Sequence, residues 1–595
     1  MQQPIAKVIL AIALEREFDY LVCPGMRIET GTRVLIDFRG RKTIGIVIGL
    51  ASRSNIPRIK PIIASLDEKP LLSAAHIRFA QRLSALYPYP LAEFLFMMLP
   101  HSLKRSRTTT ALSLNPAAPS CDQETVFTWG GAFEKRFSLW KEKMRLATAD
   151  GSAMVIFPQR SYLEAAEKII RREFPGAITM HSYQTDRMIF SQWQASRSRS
   201  IIVGTRVSIF YYPEDLRLLV VEEENSPHYF QEEKPYYHLP EVARILARSV
   251  RANLIVSSDY PSLATYALMR KKEIIVSGTP PDEPKITILG SSEHKKRGLI
   301  NPLIAEILRV SLRAAQKTVV LLNKKGFARI IACTACSHTI TCPRCSVFLH
   351  LDLDALTGTC PYCAGRQTLP KRCPRCKTGY LKGIGIGIER LRTILEREFP
   401  GVAIATWDAR NAQSQIIVAT SKILSDAGAP KMFDNGILLD IDAAMARPEY
   451  EATFDAFLYI RKLARLFGRA FYVWTRNPTH YLFSTINEGW ETFYEHEFSL
   501  RSQLKLPPQA HIAKIILRGS LENKLCNAAQ DLYNKLVAHR LCVYGPFKGQ
   551  PYKIRGSFRY SLIVKMARAE AESIIIKQEL YRLRSGRLHY AFIIK

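Results

Sequence analysis

Short unbroken apolar runs alternate with amphipathic stretches through the middle of this 595-residue chain. AMVIFP (153–158), SIIVGT (200–205), RLLVVEEE (217–224), NLIVSS (253–258) and EIIVSG (273–278) form one set. TVVLLN (318–323), VAIATWD (402–408), QIIVAT (415–420), NGILLDID (435–442) and AFYVWTR (470–476) form a second. Runs of this length without polar alternation read as strands covered on both faces. Between them, YLEAAEKIIRREF, PEVARILARSV and GIERLRTILEREF carry apolar residues at helical spacing. The alternation predicts two parallel-sheet α/β layers, over 127–285 and over 286–332 plus 380–499. A cysteine-rich insertion, 333–379, interrupts the second.

The flanks follow other patterns. Residues 1–100 hold strands around VILAIAL, RVLIDF and TIGIVIGL, then the helical SAAHIRFAQRLSALY. Residues 101–126 are polar, with Pro and Ser, and read as a linker. From 500 to 595 the chain reads as α+β, with strands HIAKIILRGS and RYSLIVKMA around the helix NKLCNAAQDLYNKLVAHR. No apolar run approaches the roughly 18 residues of a membrane span. VILAIAL is followed by charged Glu15, Arg16 and Glu17 rather than a cleavage site, so it reads as a strand and not a signal peptide. A cytoplasmic and reduced protein is expected.

Charge changes the picture. The chain has 84 Lys+Arg against 53 Asp+Glu, a formal net charge of +31. Such a field favours polyanions, most simply nucleic acid, over a solubilising role alone. Cysteine usage is the second anomaly. Eight of the 12 cysteines fall into four Cys-x-x-Cys pairs: Cys333/Cys336, Cys342/Cys345, Cys360/Cys363 and Cys373/Cys376. Each such turn offers two thiolates to one ion, so four turns make two four-cysteine zinc sites. A nested arrangement is expected, with one ion on Cys333, Cys336, Cys373 and Cys376 and the other on Cys342, Cys345, Cys360 and Cys363. The spacing does not impose that order.

This order of parts resembles the PriA family of primosomal replication-restart proteins. NKKGFARIIACTACSHTITCPRC (323–345) is similar to the family's stretch leading into its first two cysteine pairs, and GIGIGIERL (383–391) to the stretch after the last. EREFDYLVCPGMRIETGTRVLIDFRGRKTIGIV (15–47) resembles the N-terminal domain that binds the 3′ end of a strand at a fork. LKLPPQ (504–509) and YGPFKGQPYKIRGSFRYSLIVK (544–565) resemble the C-terminal domain. The resemblance implies a multidomain α/β protein. Its parts are a β-rich 3′-end domain, two helicase lobes, an inserted zinc module and an α+β C-terminal domain.

The family is an ATP-driven helicase, and its motor motifs are degenerate here. A phosphate loop needs G-x-x-x-x-G-K-[ST]. At that place the chain reads WGGAFEKRF (129–137): Lys135 matches the lysine, Trp129 and Glu134 stand at glycine positions, and Arg136 stands at the hydroxyl position. No Gly-Lys-Ser or Gly-Lys-Thr occurs anywhere in the chain. Glu222, Glu223, Glu224 and Asn225 resemble the family's acidic strand end. Ser258-Asp259-Tyr260-Pro261-Ser262 replaces its coupling motif. KLARLFGR (462–469) resembles its arginine motif, with Leu466 at one arginine position and Arg469 at the other. Lys135, Glu222, Glu223 and Arg469 therefore read as remnants of a motor, with ATP and Mg²⁺ binding not supported. The family's winged-helix domain reads as missing or much reduced.

The resemblance further implies a strand-end pocket from Phe18, Asp19, Tyr20 and Lys60, near the turn at Arg39-Gly40, and a basic C-terminal surface with Lys553, Arg555 and Arg559. The function so implied is binding of stalled or branched forks and single-stranded DNA, and help in reloading the replisome without helicase activity. The alternative is an active ATP-dependent 3′→5′ DNA helicase. Single-strand-binding protein, other primosome proteins or the replicative helicase would be the partners, with two Zn²⁺ as cofactors.

Overall fold

The computed structural model describes residues 3–12, 16–105, 123–197, 199–290, 300–322, 330–336, 338–352, 357–384, 387–426, 431–583 and 589–594. Most of the stretch read as a linker, the NKKGF segment before the first cysteine and Gly385-Ile386 of the GIGIGIERL stretch lie outside these residues.

The N-terminal sheet has six strands, in the order Lys60–Pro61, Phe18–Leu21, Ile5–Leu10, Arg41–Ala51, Arg33–Phe38 and Ala64–Ser65. All neighbours are antiparallel except Phe18–Leu21 with Lys60–Pro61. Alternation sends Ala6, Val8, Leu10, Val34 and Ile36 to one core. Arg33 is fully buried. Its guanidinium binds Asp67 at 2.7 Å and the Leu103 carbonyl at 2.6 Å, which ties the sheet to the helix His101–Arg105.

Both predicted parallel sheets are present. The first has seven strands: Ile275–Ser277, Thr125–Trp129, Asn253–Ser258, Leu216–Glu222, Ser152–Phe157, Ile201–Thr205 and Ile178–Met180. The second has six: Ile286–Gly290, Phe467–Thr475, Phe433–Leu439, Thr318–Leu322, Ile416–Ala419 and Ile404–Thr406. Helices cover both faces, so inner strands such as Ser152–Phe157 and Leu216–Glu222 are buried at every position. EIIVSG departs from its reading as a buried strand. It sits at the sheet edge, where Ile275 and Val276 are about half exposed. Thr125–Trp129 was not legible as a strand from its short, half-polar TVFTW; two parallel neighbours make it one.

The insertion forms a five-stranded antiparallel sheet. The C-terminal region forms a four-stranded antiparallel sheet, Cys542–Ile554, Ser557–Met566, His511–Gly519 and His589–Ile594, backed by the helices Glu522–Ala538 and Ala569–Leu583.

The two α/β lobes meet over an aromatic seam. Trp129 and Tyr266 of the first lobe stack edge-on against Trp490 and Tyr494 of the second, with ring centroids 4.9 and 5.0 Å apart. Tyr260 meets Phe457 at 5.7 Å, and the Tyr494 hydroxyl donates to the Pro261 carbonyl at 2.6 Å. Beside this seam the Arg136 guanidinium is buried against three carboxylates, Glu222, Glu223 and Asp259. Removing one partner of a buried charge network leaves the others uncompensated, at a cost of about 3–5 kcal/mol. Arg136→Met is therefore expected to destabilise the two-lobe unit by about that amount in chemical denaturation. Lys135→Met, one residue earlier and exposed, is expected to stay within about 0.5 kcal/mol. Equal effects from both would contradict this assignment.

Candidate strand-end pocket, cysteine clusters and inter-lobe cleft

The structure brings Phe18, Asp19, Tyr20 and Lys60 together at one edge of the N-terminal sheet. Tyr20 and Lys60 are direct partners across parallel strands. Asp19 faces away from its neighbours and is held by Lys7 at 2.7 Å and by the Ser54 hydroxyl. Burial pushes its pKa up, but these two hydrogen bonds and the Lys7 charge win and hold it below the usual range. Tyr20 is part of the core and donates its hydroxyl to the Asp37 carbonyl at 3.0 Å. Its ring is therefore not available for stacking. Phe18 is half-buried, edge-on to Phe38 at 5.1 Å and capped by the Arg16 guanidinium at 4.7 Å. Asp37 joins Lys60 at 2.8 Å and the Gly40 amide at 2.7 Å. That second contact needs the turn Arg39-Gly40, where both residues have positive φ.

The eight cysteines gather into two clusters: Cys333, Cys336, Cys373 and Cys376, and Cys342, Cys345, Cys360 and Cys363. Within each, all ligand atoms lie within 4.8 Å of one another, close enough to share one metal ion. Measured Sγ–Sγ separations are 3.6 Å for Cys333/Cys376, 3.7 Å for Cys336/Cys373 and 3.8 Å for Cys342/Cys363. Backbone amides of each turn point at sulfur: Ala335 and Cys336 at Cys333, Arg375 at Cys373, Gly379 at Cys376. Such donors stabilise thiolate charge. A Cβ at Gly379 would press on the Cys333 sulfur and lie 2.9 Å from the Ala335 amide nitrogen, so only glycine closes that cluster. One donor comes from elsewhere: the Arg555 amide, at the tip of the C-terminal hairpin, donates to Cys345 Sγ at 3.2 Å. Next to it, the Gly556 amide donates to the Arg344 carbonyl at 2.9 Å.

The inter-lobe cleft is lined by three cations and three carboxylates. Arg136 Nε binds Glu222 at 2.5 Å, and its other nitrogens bind Glu223 and Asp259, each at 2.9 Å. From the second lobe, Lys462 binds Glu223 at 2.6 Å and Arg465 binds Asp259 at 2.6 Å. Glu223 has φ +57°, a costly conformation for a residue with a side chain. It follows directly on the strand Leu216–Glu222 and bridges both lobes. Burial works to raise its pKa, but Lys462 and Arg136 outweigh burial and hold it down to about 2. The loop glycines make room for side chains: a Cβ at Gly130 would sit 2.7 Å from Arg136 Cγ, and one at Gly131 would collide with the Arg465 guanidinium. Of the four remnants named from sequence, Glu222 and Glu223 lie in the cleft. Lys135 is exposed on the helix Phe133–Asp150, and Arg469 pairs with Asp434 on the surface. Arg136, Asp259, Lys462 and Arg465 were missed as a set. The signal was that each replaces a neutral or differently placed residue of the motor motifs.

The C-terminal surface residues do not share a face. Phe558 and Arg559 alternate on one strand. Lys553 lies over the Phe558 ring at 4.9 Å, whereas Arg559 points to the opposite side, and Arg555 sits at the exposed tip with φ +49°.

No helix among the described residues is long and apolar enough to cross a membrane. Residues 7–100 match the family model described as a 3′ DNA-binding domain, and residues 502–589 match that of the primosomal protein N C-terminal domain. The chain is 23% identical over 616 residues to the replication restart protein PriA of Rickettsia typhi, covering 94% of each chain. It is 23% identical over 626 residues to that of Treponema pallidum, again covering 94% of each. Against that of Haemophilus influenzae it is 22% identical over 694 residues, covering 94% of this chain and 95% of that one. Domain matches at both ends, joined by full-length likeness between them, make this chain similar to the PriA proteins along nearly its whole length.

Proposed function

We propose that the protein binds forked and single-stranded DNA at stalled replication forks and helps reload the replisome, with its two α/β lobes acting as a fixed scaffold instead of an ATP-driven motor. The family supports the first part, as does a net charge of +31. Single-strand-binding protein and other primosome components would be its protein partners, as the family resemblance implies.

One observation carries the second part: the cations of the cleft are spent on its own carboxylates. A nucleotide site needs free donors and a hydroxyl for Mg²⁺. Here Arg136 stands at the hydroxyl position and satisfies Glu222, Glu223 and Asp259 instead. Arg465 and Lys462, which face the cleft from the second lobe, are paired with Asp259 and Glu223. These residues do not fit ATP–Mg²⁺, because binding it would first break several buried ion pairs. The aromatic seam beside them opposes the opening and closing that a motor requires.

Two zinc ions fit the cysteine clusters. A tetrahedral site with Zn–S near 2.3 Å sets its sulfurs about 3.8 Å apart, and the measured separations are 3.6–3.8 Å. Zinc there supplies a structural cross-link. Cys333, Cys336, Cys373 and Cys376 would hold one ion, and Cys342, Cys345, Cys360 and Cys363 the other.

The purified zinc-loaded protein is expected to bind a forked oligonucleotide tightly and to show no DNA-stimulated ATP hydrolysis. Stimulated turnover abolished by Lys135→Ala would overturn the scaffold reading and favour an active helicase. Metal analysis is expected to give two zinc ions per chain. Because the Arg555 amide rests on Cys345, Cys345→Ala should speed hydrogen exchange across residues 553–558, and Cys333→Ala should not. Identical exchange in the two variants would disprove that coupling.

A further inference from the structure

Arg518 and Arg559 stand directly opposite each other on adjacent antiparallel strands of the C-terminal sheet. Like charges in that position repel and weaken a sheet. A carboxylate normally relieves such a pair, yet among the described residues neither arginine has one within ion-pair distance. Both are half-buried, and the Nε of each is enclosed with no hydrogen-bond partner. Their remaining contacts are weak and neutral. Arg518 Nη2 reaches the Tyr236 hydroxyl at 3.4 Å, and Arg559 Nη1 reaches the Pro551 carbonyl at 3.4 Å.

The surroundings join three parts of the molecule. Tyr236 comes from the first lobe. Tyr362 comes from the second cysteine cluster's CPYC turn and is about half exposed. Both lie close enough to Arg559 to act on its charge, as does Arg518. Burial and the Arg518 charge lower the Arg559 pKa, the signature of a cation lacking its counter-ion. The hairpin tip beyond them is pinned to the cysteine module by Arg555 and Gly556, which fixes the two pieces relative to one another.

We propose that the Arg518–Arg559 pair, with Tyr236 and Tyr362 beside it, is a phosphate site for a single-stranded DNA backbone crossing the junction of the first lobe, the cysteine module and the C-terminal sheet. Paired guanidinium groups present the forked donors that phosphate oxygens accept. An exposed tyrosine next to them offers a face for a base, which a double helix would not present. The inference rests on the reading of the protein as a DNA-binding factor, and it adds Arg518, Tyr236 and Tyr362 to a surface for which Arg559 alone was legible.

The test uses the full-length zinc-loaded protein and a labelled oligo-dT strand, followed by fluorescence anisotropy at several salt concentrations. Arg518→Gln and Arg559→Gln are each expected to weaken binding by roughly 5- to 10-fold at moderate salt, and to make the slope of log K against log salt shallower by about 0.7, the value for one lost phosphate contact. Lys168→Gln, which removes an exposed cation from the helix Arg160–Glu173, controls for net charge and should leave both quantities unchanged. Because the arginines repel each other, neither Gln variant should melt earlier than the wild type. Tyr362→Ala should weaken binding without changing the salt slope. If the wild type binds the strand and both Arg variants match it in affinity and slope, the phosphate site is wrong while the DNA-binding reading stands. If the wild type binds neither single strand nor fork, both fail. A variant that binds weakly but also melts early marks the pair as structural and overturns the site as well.

Discussion

Charge buried between two lobes has to be neutralised where it lies, and that constraint organises the centre of this molecule. Three carboxylates end or follow the strands of the first lobe at the cleft. Arg136 reaches all three from within the same lobe, and Lys462 and Arg465 reach two of them from the other. The set balances, three cations against three anions. Its members are costly to separate, because any one left alone in a dry site loses far more than a surface pair would. The same geometry accounts for Gly130 and Gly131, which make room for guanidinium groups. Two glycines of the loop, neither at a phosphate-loop glycine position, provide the clearance for an internal ion cluster. With Trp129, Tyr260 and Tyr266 packed beside it on aromatic side chains of the second lobe, the cleft is closed by both polar and apolar means.

A second constraint fixes the periphery. The cysteine module has a small apolar core of its own and depends on its two clusters for definition. Ile554 of the C-terminal hairpin packs against that core, and the Arg555 amide donates to Cys345. Cysteine clusters, module and hairpin therefore form one chain of dependence. The basic C-terminal sheet is oriented by contacts made through the cysteines, and its unpaired arginines face the junction that those contacts create. On the proposed scaffold reading this gives the cysteines a reason to persist: they hold the C-terminal hairpin in place.

Much of this was legible in the sequence because periodicity and spacing are local signals. Unbroken apolar runs marked the parallel sheets, and four Cys-x-x-Cys turns marked the clusters. What escaped depends on which residues meet in space. Lys135 looked like the cleft residue because it matches a motif lysine, but the helix turns it to solvent and sends Arg136 inward. Arg469 aligned with a catalytic arginine, yet Lys462 and Arg465, earlier in the same motif, are the residues that reach the first lobe. Tyr20 read as a pocket residue, and its alternation with Asp19 carries its ring into the core. Lys553, Arg555 and Arg559 read as one patch, and strand alternation splits them. Arg518 carried no signal of its own, since its neighbour Arg559 is 41 residues away in sequence and adjacent only through strand register.

The central claim is that the two lobes keep one relative position. The distance between a donor fluorophore at Leu146 and an acceptor at Val310, exposed sites on opposite lobes, measures it directly by single-molecule energy transfer. The account predicts one narrow distribution that ATP, Mg²⁺ and forked DNA, alone or together, leave unchanged. A nucleotide-dependent shift or a second population would show that the ion cluster opens, and would restore the cleft as a working motor.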